Sequence, residues 1–373
     1  MRLRAALVLL ATFVLAWAAP LVGVMLAGQP VAPYLAVPPR TAYVEHAPFS
    51  WLVFGVMTLP VAGAAMLYVA AIRRGRRNGR KTASSRPQYR FPWWGSIGIA
   101  LVAGGWMMAW SRELVPAAWQ RHTFTPLWLG YVIAVNALAY RRSGRALLTH
   151  EPRTLAALFA ASAAFWWLFE YLNQYTGNWH YTGVRADSDW DYFLQATLPF
   201  STVLPAVAST RAWLATYPVV DALTLPAVRG GSLHAWIALV GGTLAVGAIG
   251  LLPEMLYPML WLGPAFMLAG LQYLVLGATP LSPLARGDWR PVLQPALAAL
   301  VCGLFWEMWN YGSLARWHYS IPYVDRFHVF EMPLLGYAGY LPFGIECALV
   351  ADLVRTLCAK NAATGRITPP GRR

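Results

Sequence analysis

Charged side chains are scarce in this chain of 373 residues. Asp, Glu, Lys and Arg make up 12% of it, whereas 58% of the residues are apolar. An average soluble domain carries roughly twice that share of charge. This composition excludes a disordered chain, a fibre and a coiled coil, and it argues against a soluble globular enzyme. The long apolar runs favour a polytopic membrane protein.

Cysteines and catalytic signatures are sparse as well. Cys302, Cys347 and Cys358 lie inside apolar segments without paired spacing, so they indicate neither a disulfide framework nor a zinc site. No nucleophile elbow, His-Glu-x-x-His motif, P-loop or dinucleotide-binding glycine motif occurs in a fitting context. An enzyme for soluble substrates is therefore not supported. We expect no metal ligands and no cofactor.

Ten apolar segments are long enough to be membrane-spanning helices, which need about 20 mainly apolar residues. The first begins Met-Arg-Leu-Arg and resembles a signal peptide, but its apolar stretch continues to Gly28, so an uncleaved helix is favoured. The ten segments are 5–28, 50–72, 94–111, 124–140, 154–172, 193–209, 233–252, 256–277, 291–311 and 334–357.

The positions of lysine and arginine indicate the orientation. With the N-terminus in the cytoplasm, 23 of the 29 Lys and Arg residues fall on the inner side, as the positive-inside rule requires. We therefore predict a multi-pass protein of the inner (cytoplasmic) membrane with both termini cytoplasmic. The basic run 73–81 is interpreted as a stop-transfer flank that faces anionic membrane lipid. Because it lacks a nucleic-acid motif, nucleic acid is not an expected partner.

One pattern occurs twice in the chain. Phe-Glu-Tyr-Leu-Asn at 169–173 recurs as Trp-Glu-Met-Trp-Asn at 306–310, and Trp-His-Tyr at 179–181 recurs at 317–319. Upstream, Leu-Trp-Leu-Gly at 127–130 recurs at 260–263. We predict an all-α fold of two tandem parallel four-helix repeats. They occupy 91–215 and 216–358, after a two-helix anchor with a basic loop at 1–90 and before a cytoplasmic tail at 359–373.

Four acidic residues lie in or beside apolar helices: Glu170, Glu307, Glu331 and Glu346. Carboxylates at membrane depth are costly and mark a functional site by default. Asn173 and Asn310 follow the first two by three residues on the same helical face, where each could fix the carboxylate. A polar clasp between helices and a catalytic or ligand-binding group remain alternative interpretations.

Glu331 and Glu346 have no acidic counterparts in the first repeat. Glu346 lies about twelve residues into the last span, beyond Pro342, which we expect to bend the helix. A broken helix with a deep carboxylate suggests a cavity. An internal ion pair or a helix contact is the alternative.

Aromatic residues concentrate around these acids. Interfacial Trp-His-Tyr segments are typical of an aromatic belt, whereas aromatic faces near an acid also stabilise cations. Both interpretations apply. The predicted acid–base residues are Glu170, Glu307, Glu331, Glu346 and His318. The predicted substrate-binding residues are Asn173, Trp179, His180, Trp309, Asn310, Trp317, Tyr319 and Tyr340.

These motifs resemble those of membrane proteins that modify carotenoids. Glu170 with the segment 176–183 (Thr-Gly-Asn-Trp-His-Tyr-Thr-Gly) is similar to the Glu…Thr-Gly…Tyr-x-Tyr-Thr pattern of carotenoid hydratases. Trp306-Glu307, Trp317-His318-Tyr319 and Glu331-Met332-Pro333 resemble the pattern of heterodimer-type lycopene cyclases, although their adjacent Glu pair is absent here. The resemblance implies an all-helical, cofactor-independent protein that works by acid catalysis on isoprenoid double bonds.

We therefore expect a membrane enzyme that performs acid/base chemistry on an isoprenoid or other lipid-soluble substrate. One carboxylic acid would donate a proton and another would act as base, in the outer half of the second repeat. A proton- or ion-coupled transporter or channel is one alternative, since broken helices and deep carboxylates also fit transport. A non-catalytic membrane subunit or assembly factor is the other.

Overall fold

The computed structural model describes residues 1–77, 88–111, 113 and 115–359, and most of them are helical. The basic run beyond residue 77 and the tail beyond residue 359 lie outside the described residues. The α-helices are, in chain order, α1 (Arg2–Leu26), α2 (Trp51–Arg77), α3 (Trp93–Trp110), α4 (Ala117–Gln120), α5 (Phe124–Ser143), α6 (Leu147–His150), α7 (Pro152–Thr176), α8 (Asp189–Phe200), α9 (Val203–Leu214), α10 (Pro218–Asp221), α11 (Ser232–Ile249), α12 (Pro253–Leu256), α13 (Met259–Leu276), α14 (Arg290–Gly312) and α15 (Tyr340–Cys358). Short 3-10 helices cover Ala32–Leu35, Ser282–Arg286 and Leu334–Gly339.

The helices confirm a mainly helical, multi-pass protein. Within the described residues, seven segments are long and apolar enough to cross a membrane: α1, α2, α7, α11, α13, α14 and Leu334–Cys358. The other three predicted segments are helical too. Two of them are α3 and α5, and the third is divided into α8 and α9 by a turn at residues 201–202. The count of ten spans stays a prediction.

Apolar side chains on the helix exteriors fit contact with lipid. None of the residues in the apolar window of α2 is buried, and Leu52 and Leu59 are 77% and 70% exposed. Exposed apolar surface on this scale marks a membrane or partner contact in a folded protein. The first helix, α1, is held more tightly, because a Cβ on Gly250 at the end of α11 would lie 2.1 Å from the Pro20 carbonyl oxygen.

Glycines let two pairs of helices cross in close contact. A Cβ on Gly98 of α3 would lie 2.8 Å from the carbonyl oxygen of Gly130 on α5. A Cβ on Gly242 of α11 would lie 2.7 Å from that of Gly263 on α13. Small residues permit this backbone approach between membrane helices. Gly130 and Gly263 are the equivalent glycines of the repeated Leu-Trp-Leu-Gly.

The two halves meet through reciprocal aromatic contacts. Trp128 of α5 packs against Trp306 of α14, with ring centroids 4.9 Å apart. Phe169 of α7 stacks on Trp261 of α13 at 5.0 Å. In each contact, a repeated Leu-Trp-Leu-Gly tryptophan of one half meets the residue that precedes the membrane glutamate of the other. Trp128 and Phe169 are fully buried, so the core lies at this junction.

The Trp-His-Tyr segments are strands that pair with each other. β1 (Trp179–Thr182) and β2 (Arg316–Tyr319) are antiparallel, with His180 opposite His318. Aromatic residues favour such extended pairing. A second small pair joins β3 (His328–Val329) to β4 (Met332–Pro333). We call the end of the molecule that carries β1 and β2 the strand end.

The segment of residues 27–50, which we call the strap, crosses the strand end. Its His46 contacts Glu254 through Nδ1 at 2.5 Å, and the carbonyl oxygen of its Val44 accepts a hydrogen bond from Ser320 Oγ at 2.8 Å. His46 also contacts the Gly177 carbonyl oxygen of the first half through Nε2 at 3.3 Å. The strap therefore ties the loops of both halves together. Elsewhere, Arg355 in the last turn of α15 donates to Glu151 before α7 at 2.7 Å.

Candidate functional site

The first carboxylate cluster is built around Glu170 on α7, which is 1% exposed. Its Oε1 accepts hydrogen bonds from Trp166 Nε1 at 2.9 Å, Trp179 Nε1 at 3.1 Å and the Tyr181 hydroxyl at 2.6 Å. Trp166 lies one helical turn before Glu170 and so shares its face. Trp179 and Tyr181 alternate along β1, so both point to the same side of the strand.

The second cluster is built around Glu307 on α14, which is completely buried. Its Oε1 accepts hydrogen bonds from the hydroxyls of Tyr319 at 2.8 Å and Tyr340 at 2.6 Å. Trp317 Nε1 donates to the Tyr319 hydroxyl at 2.9 Å. The other carboxyl oxygen, Oε2, is buried and has no hydrogen-bond partner among the described residues.

The strand tyrosines remain hydrogen-bond donors. Burial, followed by the charge of the Glu170 carboxylate, raises the pKa of Tyr181 well above its ordinary value. Burial and the Glu307 carboxylate raise the pKa of Tyr319 in the same way. An apolar environment and a nearby negative charge both disfavour the phenolate. Each phenol therefore keeps its proton beside its carboxylate.

The asparagine that follows each glutamate by three residues binds the backbone of a strand. Asn173 Nδ2 donates to the Trp179 carbonyl oxygen at 2.7 Å, and its Oδ1 accepts from the Trp179 amide at 3.3 Å. Asn310 makes the same two bonds to Trp317, both at 2.8 Å. The sequence predicted that these asparagines fix the carboxylates. Instead they fix the strands, whose side chains then hold the carboxylates.

A cavity of about 160 Å³ is lined by residues of both clusters. Its lining is mainly aromatic and apolar: Arg121, His122, Phe124, Trp166, Trp179, Tyr181, Val184, Tyr192, Gln195, Ala196, Pro199, Phe200, Val203, Trp261, Trp306, Ala315, Arg316, Trp317, Tyr319, Met332, Gly336, Gly339 and Tyr340. The carboxyl groups of Glu170 and Glu307 lie behind this wall. The site was expected in the second repeat, but β1 pairs with β2 and so brings residues of both halves to one cavity.

Several predicted site residues form a separate polar group beside the strands. His318 contacts Glu331 through Nδ1 at 2.7 Å and Thr182 Oγ1 through Nε2 at 3.1 Å. His180 stacks on His318 with ring centroids 5.7 Å apart. Burial, and then the charge of His318, lower the pKa of His180. These residues do not line the cavity, and Glu331 lies in the turn between β3 and β4 and not at the start of a helix.

Two further predicted residues lie in the protein core. Trp309 is fully buried against Trp128 and Trp106, with ring centroids 5.1 and 6.3 Å away. Glu346 is 1% exposed, and neither of its carboxyl oxygens has a hydrogen-bond partner among the described residues. Neither residue lines the cavity.

Pro342 does not break the last helix, contrary to expectation. The α-helix begins at Tyr340, so Pro342 lies in its first turn, where a proline is tolerated because the first amides of a helix have no partner within it. The preceding residues form the 3-10 helix Leu334–Gly339. Glu346 is therefore the seventh residue of a regular helix.

The sequence also missed several residues of the cavity. Trp166, Tyr181, Trp261 and Trp306 line it but were not proposed as binding residues. The available signals were the alternation along the Trp-His-Tyr segment and the tryptophan of the repeated Leu-Trp-Leu-Gly. Arg121 and Arg316 gave no such signal, since neither belongs to a repeated motif.

Comparison with known proteins adds no relative. No family model, curated protein or solved structure matches this chain. Among the described residues, no three His, Cys, Asp or Glu side chains come together in a group that could hold a metal ion. The site is therefore interpreted from its own geometry.

Proposed function

We propose that this membrane protein is a cofactor-independent acid–base enzyme that acts on a carbon–carbon double bond of an isoprenoid-like, lipid-soluble substrate. One observation carries the proposal: every side chain that donates a hydrogen bond to Glu170 or Glu307 also lines the same aromatic cavity. The donors are Trp166, Trp179, Tyr181, Tyr319 and Tyr340. Both carboxyl groups are thus one side chain away from a bound molecule.

The two clusters can divide the proton transfers between them. The Tyr319 or Tyr340 hydroxyl turns from Glu307 Oε1 towards an alkene carbon and gives it a proton, and the carboxyl proton of Glu307, carried on Oε1, passes to the phenol oxygen in the same event. The alkene becomes a carbocation and Glu307 becomes a carboxylate. A neighbouring C–H proton then leaves through Tyr181 to the Glu170 carboxylate, and its electron pair forms the new double bond. Return of one proton from Glu170 to Glu307 through water restores the starting state.

The walls of the cavity suit the intermediate. Trp179 and Trp261 stack with ring centroids 5.8 Å apart, and both line the cavity. Their faces carry the negative end of the ring quadrupole and attract a cation. Apolar walls also limit the access of water, which would trap the carbocation. An alkene-bearing substrate fits this lining better than a polar one.

The repeated motifs support a site shared by two related units. Three features occur once in each half: the Glu–Tyr hydrogen bond, the pair of hydrogen bonds from an asparagine to the strand tryptophan, and the contact of the Leu-Trp-Leu-Gly tryptophan. The antiparallel pairing of His180 with His318 relates the halves as an axis along the membrane normal would. We infer that the chain is a tandem duplication whose halves contribute one carboxylate each.

The test is product formation in a bacterial host that accumulates an acyclic polyene. We expect new polyene isomers or cyclised products with the wild-type protein, and their loss in the double variant Glu170→Gln/Glu307→Gln at equal protein level in membranes. Glu151→Gln is the matched control, because Glu151 pairs with Arg355 away from the cavity. Unchanged product formation by the double variant would show that these carboxylates do not take part in the reaction.

Proton-coupled transport is a second candidate, favoured by Glu346. A buried carboxyl without a hydrogen-bond partner on a membrane helix is costly and typical of proton pathways. The protein reconstituted in liposomes with an internal pH dye should then conduct protons, and Glu346→Gln should abolish the flux while Glu151→Gln should not. Liposomes that stay proton-tight with the wild-type protein would reject transport.

A further inference from the structure

We propose that the cavity takes a single-chain amphiphile with a phosphate head group, which is bound at the cavity mouth by Arg121 and Arg316. This inference rests on the proposed function for its site and adds the class of substrate. The chain of the amphiphile would lie among the aromatic walls, and its phosphate would lie between the two guanidinium groups.

The mouth of the cavity is identified by exposure. Most lining residues are buried or half-buried, whereas His122 and Val184 are exposed. Arg121 precedes His122 at the end of α4. Val184 follows Thr182, which pairs with Arg316 across the β1–β2 ladder. The two arginines therefore lie beside the opening and come from the two different halves.

The guanidinium group of Arg121 lacks a hydrogen-bond partner for one of its buried nitrogens among the described residues. That nitrogen is Nε. A buried guanidinium N–H without a partner is costly, and the full group presents donors in a fork that matches an oxyanion. A bound phosphate oxygen would satisfy it.

Arg316 adds a second positive charge at the mouth. One of its terminal nitrogens donates to the Tyr311 carbonyl oxygen at 3.0 Å, and it forms no ion pair among the described residues. No Asp or Glu is among the described residues that line the cavity. The mouth is therefore cationic, while the interior is aromatic.

One acidic group lies near the mouth but is already engaged. Asp191 Oδ2 accepts hydrogen bonds from Gln195 Nε2 at 2.8 Å and from the Asp187 amide at 3.0 Å. These bonds, with a smaller effect of His122, hold the pKa of Asp191 below its ordinary value. Asp191 can thus attract His122, but it does not neutralise either arginine.

The alternative is that the arginines contact the head groups of bulk lipid, as arginines near a membrane interface commonly do. When the phosphate is held at the mouth, the chain would come close to five tryptophans that line the cavity: Trp166, Trp179, Trp261, Trp306 and Trp317. A bromine at the far end of such a chain would quench their fluorescence. A bromine in bulk lipid would instead quench exposed tryptophans such as Trp51, Trp93 and Trp236, and that quenching would not depend on Arg121 or Arg316.

The experiment measures quenching of tryptophan fluorescence in phosphatidylcholine nanodiscs. The probes are 12-bromododecyl phosphate, 12-bromododecanol and inorganic phosphate. We expect the bromododecyl phosphate to bind about tenfold or more tightly than the alcohol, as charge-assisted hydrogen bonds provide. Arg121→Gln and Arg316→Gln should each reduce that preference, and the double variant should abolish it while still binding the alcohol. Arg185→Gln, an exposed arginine near the same strands, should behave as wild type.

Three outcomes would overturn the proposal. The phosphate and the alcohol could bind equally, the double variant could keep the preference, or inorganic phosphate could displace the probe at similar concentrations, which would indicate a site for the free anion. Glu151→Gln, which lies away from the cavity, should bind the probe as wild type does. Probe binding requires no proton transfer, so a failure of the catalytic proposal would leave this binding result unchanged, and a failure of binding would leave the polyene test unchanged.

Discussion

The Glu170 and Glu307 clusters occupy equivalent positions, but their carboxyl groups receive hydrogen bonds from different elements. In the first, Trp166 lies one turn before the glutamate and donates to it. In the second, the equivalent residue is Gly303, where a Cβ would lie 2.4 Å from the ring of Tyr340. Tyr340 fills that space from α15 and supplies the donor. The residue equivalent to Tyr340 in the first half is Val203, so the two halves exchange which helix provides the hydrogen bond.

This difference in hydrogen bonding suits two different roles in the proposed proton transfers. Glu170 receives three donors on one oxygen, and such an arrangement holds a carboxylate ready to accept a proton. Glu307 receives two donors on Oε1, and its Oε2 is left without a partner among the described residues. Fewer hydrogen-bond donors stabilise the charged carboxylate less, so Glu307 takes up a proton more readily than Glu170 does. Under the proposed function, this difference favours Glu170 as the base and Glu307 as the acid.

The largest expected effect is on the rate of product formation. Glu307→Gln removes the proton donor and should lower the rate by a factor of about 10²–10⁴, the usual loss for a catalytic acid or base. Glu170→Gln should lower it less, since a carbocation loses a proton far more readily than an alkene gains one. The measurement is initial rate in membranes at equal protein level. Equal losses in the two single variants would break the division of roles, although both carboxylates could still take part.

The next largest expected effect is a loss of stability when the close helix crossings are disturbed. Gly98→Ala and Gly242→Ala place a methyl group against the backbone of the neighbouring helix, so each should cost about 1–3 kcal/mol of stability. Gly104→Ala and Gly241→Ala are matched controls on the same two helices, because a Cβ there meets nothing within 4 Å. Thermal unfolding in detergent provides the measurement. If only one of the two crossings responds, the halves are not equivalent at this contact.

A smaller difference is expected between the two asparagines, in the stability that each loses on replacement by alanine. Asn173 makes the two bonds to Trp179 and a third to Thr41 Oγ1 in the strap at 3.0 Å, whereas Asn310 makes two. Asn173→Ala should therefore destabilise the protein more than Asn310→Ala, by about 0.5–1.5 kcal/mol for the extra hydrogen bond. Thr41→Ala in each background tests the source of the difference. A difference that persists without Thr41 would contradict this explanation.

Local patterns predicted more of the fold than of the site. Apolar length was sufficient to locate the helices, and the spacing of Glu170, Asn173 and Trp179 was sufficient to mark the polar clusters. Pairing between β1 and β2 could not be predicted from the sequence, because the Trp-His-Tyr segments are 138 residues apart and each strand is too short for a periodic signal. Without that pairing, Glu331 and Glu346 were predicted to lie in the site and Tyr181 was not. The depth of Glu346 was predicted, but the regular helix around Pro342 was not.

The smallest expected effect is the pH dependence of stability at the strand end. His180 contacts the Tyr43 ring at 5.5 Å and lies beside His318 and Glu331. Because its pKa is lowered in the native protein, the unfolded chain binds a proton at His180 in a pH range where the native state does not. Stability then rises with pH and is lost as pH falls below about 6.5, the ordinary histidine pKa, towards the lower native value.

Replacing His180 tests this directly. Melting temperatures of the wild type in detergent should fall between pH 7.5 and pH 5.5, and His180→Gln should flatten that profile, by less than the shift of either glycine variant. Gly104→Ala, which leaves the strand end intact, should keep the wild-type slope. A steeper fall in His180→Gln would mean that the histidine is stabilised in its charged form, as Glu331 would favour, and the strand end would then differ from the buried clusters in relying on an ion pair.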